Sequence, residues 1–129
     1  MAIHIYKILG AIQWREARAR GVFAGAGIDL ADGYIHFSTA AQVRETAARH
    51  FAGRDDLMLL TVDLARLPAS ALRWEPSRGG ELFPHLYAAL DLDCVLRADA
   101  LPLLAGGGHG FPETVPEARD RVVAPDRPA

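Results

Sequence analysis

Apolar positions recur along the chain at two spacings, and each predicts a different element. Residues 3–9, IHIYKIL, are rich in β-formers and predict a strand ended by Gly10. The next stretch, AIQWREARARG, sets Ile12, Trp14, Ala17 and Ala19 among charges and reads as a short amphipathic helix stopped by Gly21. Trp14 and Ala17 are three apart, so both face the core. VFAGAGIDLADG is broken by glycines and reads as a loop. Residues 57–64, LMLLTVDL, form a near-continuous apolar run and predict a buried central strand. A turn at Pro68 leads into a short strand over residues 72–74. EPSRGGELFPHLY, with its prolines and glycines, reads as a loop. DLDCVLRA reads as the last strand, with Leu92, Cys94 and Leu96 on one face.

The stretch GYIHFST, residues 33–39, carries a histidine among β-formers. In a strand, alternation turns Ile35 and Phe37 one way and Tyr34, His36 and Ser38 the other. TAAQVRETAARHF follows, with Val43, Ala47 and Phe51 at helical spacing and Thr39 and Gln42 at the positions of a capping box. His36 therefore stands at a strand end beside a helix N-terminus, where backbone N–H groups favour anions. From Ala105 onward the chain is rich in Gly, Pro and charge and has no apolar period, as in a mobile tail. The expected organisation is a single globular domain over residues 1–104 and a tail over 105–129. Strands that follow one another late in the chain, with few helices, give an α+β fold and not a doubly wound one.

Composition narrows the function classes. A chain of 129 residues suits one domain, and its formal net charge of −2 argues against a broad electrostatic grip on nucleic acid. No stretch has the length of apolar sequence needed to span a membrane, and the N-terminus lacks the pattern of a secretory signal, so the cytoplasm is the expected location. The lone cysteine, Cys94, allows no disulfide within the chain and lies in an apolar run, as a buried, inert thiol would. The glycines match neither a dinucleotide fingerprint nor a P-loop.

Two histidines lie in polar contexts beside apolar strands, His36 in IHFS and His85 in FPHLY. Three readings are open for them: core residues bonded to backbone, metal ligands, or groups that donate to phosphate or ribose oxygens. No HxH or HExxH spacing is present, which leaves a dispersed metal site of His36, His85 and Glu81. The segment PSRGGELFPHLY supports the ligand-binding reading. Arg78 offers a planar fork for phosphate or carboxylate, Glu81 a carboxylate for a developing cation or a proton, and Tyr87 a ring to stack on. Arg78 and Glu81 also read as solvated loop charges.

The pieces IYKIL, GYIHFSTAAQV, HFAGRDDLMLLTVDL, LRWEPSRGGELFPHLY and LDLDCV occur in this order over residues 3–98. Together they resemble domain-of-unknown-function family 952, a group of small bacterial proteins. GYIHFST and ELFPHLY are the most specific pieces; after the tyrosine, Ala88 and Ala89 stand where the family has Gly and Pro. The resemblance implies an ADP-ribosyltransferase-like fold: two small mixed sheets around a cleft, with two short helices. The IHFS piece is also similar to a strand of RNA 2′-phosphotransferases, in which a histidine helps hold phosphate. Carried over, the resemblance puts His36 in the cleft with Ser38 beside it and Tyr34 on the same face. It makes Glu81 the acid that stabilises an oxocarbenium-like ribose and puts His85 and Tyr87 on the opposite wall. Lys7 stands on the strand where the pattern has a His or Arg. The implied ligand is NAD, as a substrate, or another phosphorylated, ribose-bearing molecule. A binding module without turnover and a metal-dependent hydrolase remain as alternatives.

Overall fold

A computed structural model describes residues 3–116. Its elements are β1 (His4–Gly10), α1 (Ala11–Arg20), β2 (Val22–Phe23), α2 (Ile28–Asp32), β3 (Ile35–His36) and α3 (Ala40–His50). They continue with β4 (Leu57–Asp63), β5 (Leu72–Pro76), β6 (Leu82–Leu86), β7 (Leu90–Asp91) and β8 (Val95–Ala100). Strands and helices mix without βαβ units, as expected of an α+β fold. The described residues build three small sheets, in the orders β1-β4-β8, β3-β6-β5 and β2-β7, where two were expected. Among the described residues every pairing is antiparallel and not mixed, and three α-helices stand where two short helices were expected. No helix among the described residues is long and apolar enough to cross a membrane.

The apolar run of β4 is explained by burial on both faces. Leu60 and Val62 join Ile5, Leu9, Phe23, Ile35, Phe37 and Leu86 in one core cluster. Leu57 and Leu59 join Tyr6, Ile8, Val43 and Ala47 in a second, under α3. Trp14 and Ala17 of α1 both pack on the first cluster, as their spacing predicts. At the start of α3 the Thr39 N–H donates to Gln42 Oε1 at 3.0 Å, the reciprocal half of the capping box.

Three stretches differ from the expectation. VFAGAGIDLADG contains β2 and α2, each too short to show a period; β2 is held by pairing with β7. Gly33 ends α2 with φ 85, a left-handed conformation that swings the chain into β3. ELFPHLY is not a loop: it contains β6, the middle strand of its sheet. Pro84 disguises it, because proline is rare inside sheets. Here Pro84 accepts from the Phe37 N–H at 3.0 Å and has no N–H to return. Pairing of β3 with β6 stops there, and Ser38 exchanges backbone bonds with Tyr6 of β1 instead, at 2.8 and 2.9 Å. The proline thus marks the place where the chain passes from one sheet to the other. In DLDCVLRA, Leu92–Cys94 is a single 3-10 turn, so strand alternation fails: Cys94 is buried and Leu96 is exposed. The Cys94 thiol donates to the Arg66 carbonyl, and burial pushes its pKa up, which suits an inert thiol.

The first part of the expected tail packs on the fold. Leu103 bridges to His109, Phe111 packs beside α3, and Val115 is buried in the second cluster. Arg44 of α3 donates to the carbonyls of Val115 at 3.0 Å and Pro116 at 2.6 Å. Apolar anchors too widely spaced for any period hold this segment on the fold. The remainder of the expected tail, 117–129, lies outside the described residues.

One buried carboxylate ties three elements together. Asp29 of α2 accepts from Lys7 Nζ of β1 at 2.9 Å, from the His36 N–H at 3.0 Å and from the Ala26 N–H at 3.2 Å, and lies 2.7 Å from His36 Nδ1. Asp29 is 3% exposed and Lys7 is 7% exposed. Burial alone would raise the Asp29 pKa, but the hydrogen bonds from His36 and the charge of Lys7 outweigh it and hold it at about 2. Burial also pulls the Lys7 pKa down, against the pull of Asp29. Since the Asp29 carboxyl is depressed from 3.8 to about 2, its contribution is complete above pH 3.8 and is lost as the pH falls through 2. The shift corresponds to about 2 kcal/mol.

Two outcomes follow in urea unfolding. Val115→Ala will lower the unfolding free energy by about 2 kcal/mol, the transfer and cavity cost of two buried methyl groups. Asp29→Ala will lower it by about 3–5 kcal/mol, because it leaves Lys7 buried without its partner. Across pH 4 to 2 the wild type will lose stability more steeply than Asp29→Ala.

Candidate functional site

Residues of β3, β5 and β6 converge on one face of their sheet. His36 and His85 are direct cross-strand partners, so their rings meet, with centroids 5.4 Å apart. Tyr34 lies over both. Its ring stacks on His85 at 4.2 Å and reaches His36 at 4.5 Å and Tyr87 at 5.0 Å. Ile35 and Phe37 turn the other way into the core, each 2% exposed, so the alternation holds from Tyr34 to Phe37, while Ser38 is buried against Thr46. From β5, Arg73 pairs with His85 and Glu75 with Phe83, which puts both side chains on the aromatic face. Glu75 Oε1 lies 2.8 Å from His85 Nδ1 and accepts from Tyr87 Oη at 2.7 Å. The Arg73 guanidinium covers the Tyr87 ring at 5.0 Å.

The charges of this cluster follow from its surroundings. Burial pushes the His85 pKa down; the bond to Glu75 pushes it back up in part, and the charge of His36 adds to the downward shift. The neutral imidazole then donates through Nδ1 to Glu75, which leaves Nε2 with a lone pair. For Glu75, burial acts upward, but the hydrogen bonds from His85 and Tyr87 prevail and lower its pKa. Glu75 is therefore an ionised carboxylate at neutral pH, held by two donors. The hydrogen bond to Glu75 raises the Tyr87 pKa, and burial raises that of Tyr34, so both phenols keep their protons. His36 lies between two carboxylates, with Asp29 2.7 Å from Nδ1 and Asp32 2.9 Å from Nε2. A neutral imidazole can donate to only one of them; the imidazolium satisfies both.

The other candidates lie in a neighbouring polar group under α3. Ser38 Oγ is 2.9 Å from Thr46 Oγ1, which also accepts from Arg78 at 3.3 Å. Arg78 lies 4.9 Å above the Phe83 ring and 3.5 Å from Glu45. Gln42 donates to the Leu82 carbonyl at 2.9 Å and to Glu81 at 3.3 Å. The structure thus brings Tyr34, His36, His85 and Tyr87 together. It sets Ser38 and Arg78 against Thr46 of α3 and leaves Glu81 against Gln42. His36, His85 and Glu81 form no metal-binding group; among the described residues, no three His, Cys, Asp or Glu side chains are so arranged.

Glu75, Arg73, Asp29 and Asp32 were absent from the candidates. The first two were legible in principle, since LRWEP alternates and puts Arg and Glu on one face. Asp29 and Asp32 sit in a helix too short to show any pattern. Two recesses lie elsewhere. One, of about 310 Å³, is lined by Arg44, Ala47, Ala48, Gly108, His109 and Phe111. The other, of about 450 Å³, has Arg66, Leu67, Asp91 and Cys94 among its lining residues. The aromatic cluster lines neither: its rings pack on one another.

Comparison with known proteins places the chain in a family. The crystal structure of protein CC0527 from Caulobacter crescentus is 47% identical, with a TM-score of 0.79 over 83% of this chain and 93% of that one. A crystal structure of a double mutant of the same Caulobacter protein matches at 46% identity and a TM-score of 0.79, over 83% and 93% of the two chains. The solution NMR structure of that protein matches at 48% identity and a TM-score of 0.73, over 81% and 90%. No curated protein matches the chain. The model of the DUF952 family, described as protein of unknown function, matches residues 8–98, and the chain belongs to that family.

Proposed function

We propose that this protein binds NAD or another phosphorylated, ribose-bearing ligand at the aromatic face, with ADP-ribosyl transfer or a related reaction as its chemistry. The observation that carries this reading is the convergence of Tyr34, His36, His85 and Tyr87 around the Glu75 carboxylate. Aromatic rings suit a flat heterocycle. An ionised carboxylate held in place by two donors suits the positive charge that develops on a ribose as its bond to nicotinamide breaks. The ADP-ribosyltransferase-like fold that the sequence resemblance implies points the same way. On this reading Glu75 joins Glu81 as a candidate for the stabilising acid, and Arg78 and the first turn of α3 supply the positive end for phosphate.

Amide NMR titration with NAD and with ADP-ribose tests the binding. Shifts are expected at Tyr34, His36, Glu75, His85 and Tyr87; unmoved resonances there at millimolar ligand would overturn it. Nicotinamide release tests the chemistry. Glu75→Gln is expected to slow it by about 100-fold or more, the scale of losing one electrostatic stabiliser. Glu81→Gln is expected to slow it less.

A second reading is a binding module without turnover. It is favoured by the packing of Tyr34 over His85, which leaves that imidazole 2% exposed. It requires ligand binding that survives both Glu75→Gln and Glu81→Gln, with no nicotinamide released by the wild type.

A further inference from the structure

The three-stranded sheet β1-β4-β8 has two very different edges. β1 is joined through Tyr6 to Ser38. β8 pairs with β4 on one side only, and no strand of the described residues lies on its other side. Such an edge is a template for another strand unless it is blocked.

The direction of the open groups can be read from the pairing. Leu101 donates its N–H to the Leu57 carbonyl, so its backbone groups point at β4. Alternate residues point their backbone groups to opposite sides of a strand. Asp99 and Arg97 therefore also face β4, and Ala98 and Ala100 present their N–H and C=O groups outward. No proline interrupts the strand, VLRADA, and these two outward-facing positions carry only methyl side chains. Beside them, Leu96 is 42% exposed.

We propose that this edge pairs antiparallel with β8 of a second copy of the chain, joining the two sheets across a two-fold axis at Ala98. Charge selects the partner and the register. With Ala98 opposite Ala98 of the second copy, each Arg97 lies opposite the Asp99 of the other copy. Slipping by one pair in one direction sets Arg97 against Arg97; slipping the other way sets Asp99 against Asp99. A slip of half that distance turns outward groups toward inward ones and makes no hydrogen bonds. Only one register thus pairs opposite charges across the axis, where directly opposed side chains interact most strongly. Within one copy Arg97 already binds Asp99, at 2.9 and 3.0 Å, so the two side chains are held on one face. In the dimer the two pairs become a ring of four alternating charges. The contact is isologous and closes on itself, so it ends at a dimer.

Analytical ultracentrifugation of the full chain, from micromolar to submillimolar concentration, tests this. The wild type is expected to be a dimer at the upper end. Arg97→Asp sets carboxylates against each other and is expected to weaken association by tenfold or more. The double change Arg97→Asp with Asp99→Arg restores opposite charges and is expected to restore the dimer. Ala98→Pro removes an outward N–H that β4 does not use and is expected to give a monomer, with its fold checked by circular dichroism. A wild type that stays monomeric throughout would overturn the proposal. So would a dimer that is indifferent to Arg97→Asp, or a double variant no better than the single one, whether or not Ala98→Pro folds.

Discussion

The buried carboxylate of Asp29 is the constraint on which the candidate site depends. A charge that deep is tolerated only with partners for its lone pairs. Asp29 has them from three directions: the ammonium of Lys7, the backbone of the turn at Ala26, and both the backbone and the ring of His36. Those bonds fasten α2 to β1 and to β3. They also set the orientation of the His36 ring, and with it the position of Tyr34 two residues earlier. Lys7 is thereby a counter-ion in the core.

The aromatic face is then assembled by sheet geometry. Cross-strand pairing sets His36 against His85, and the two-residue period of β5 brings Arg73 and Glu75 to the same side. Glu75 does for His85 what Asp29 does for His36: each carboxylate fixes a ring through its Nδ1. The two histidines still differ in character. His85 is enclosed and pushed toward neutrality, while His36 reaches a second carboxylate near the surface. Both ring nitrogens of His36 thus face carboxylates, while His85 is bound at Nδ1 alone and covered by Tyr34.

Much of the framework is legible in the order of residues alone. β1, α1, α3 and β4 are long enough to show a period, and each lies close to where its period puts it. The two faces of GYIHFST are legible for the same reason. The strand β6 is hidden because Pro84, a breaker by local rules, sits where its missing N–H matters least: at the point where β3 leaves one sheet for the other. The packed segment before Pro116 is hidden because its anchors, Phe111 and Val115, are single apolar residues in polar surroundings.

The sequence by itself determined the class of the fold, the core faces of its longer elements and the pair of histidines worth attention. These are properties of local spacing, and local spacing is written along the chain. Tertiary structure alone decided that Glu75 backs His85 and that Asp29 backs His36. It also set Lys7 inward against Asp29 and let Tyr34 close over His85. Each of those outcomes depends on which strand lies beside which. That is decided by the burial of apolar faces and by hydrogen bonds between residues far apart in the chain, and neither leaves a mark in the local pattern.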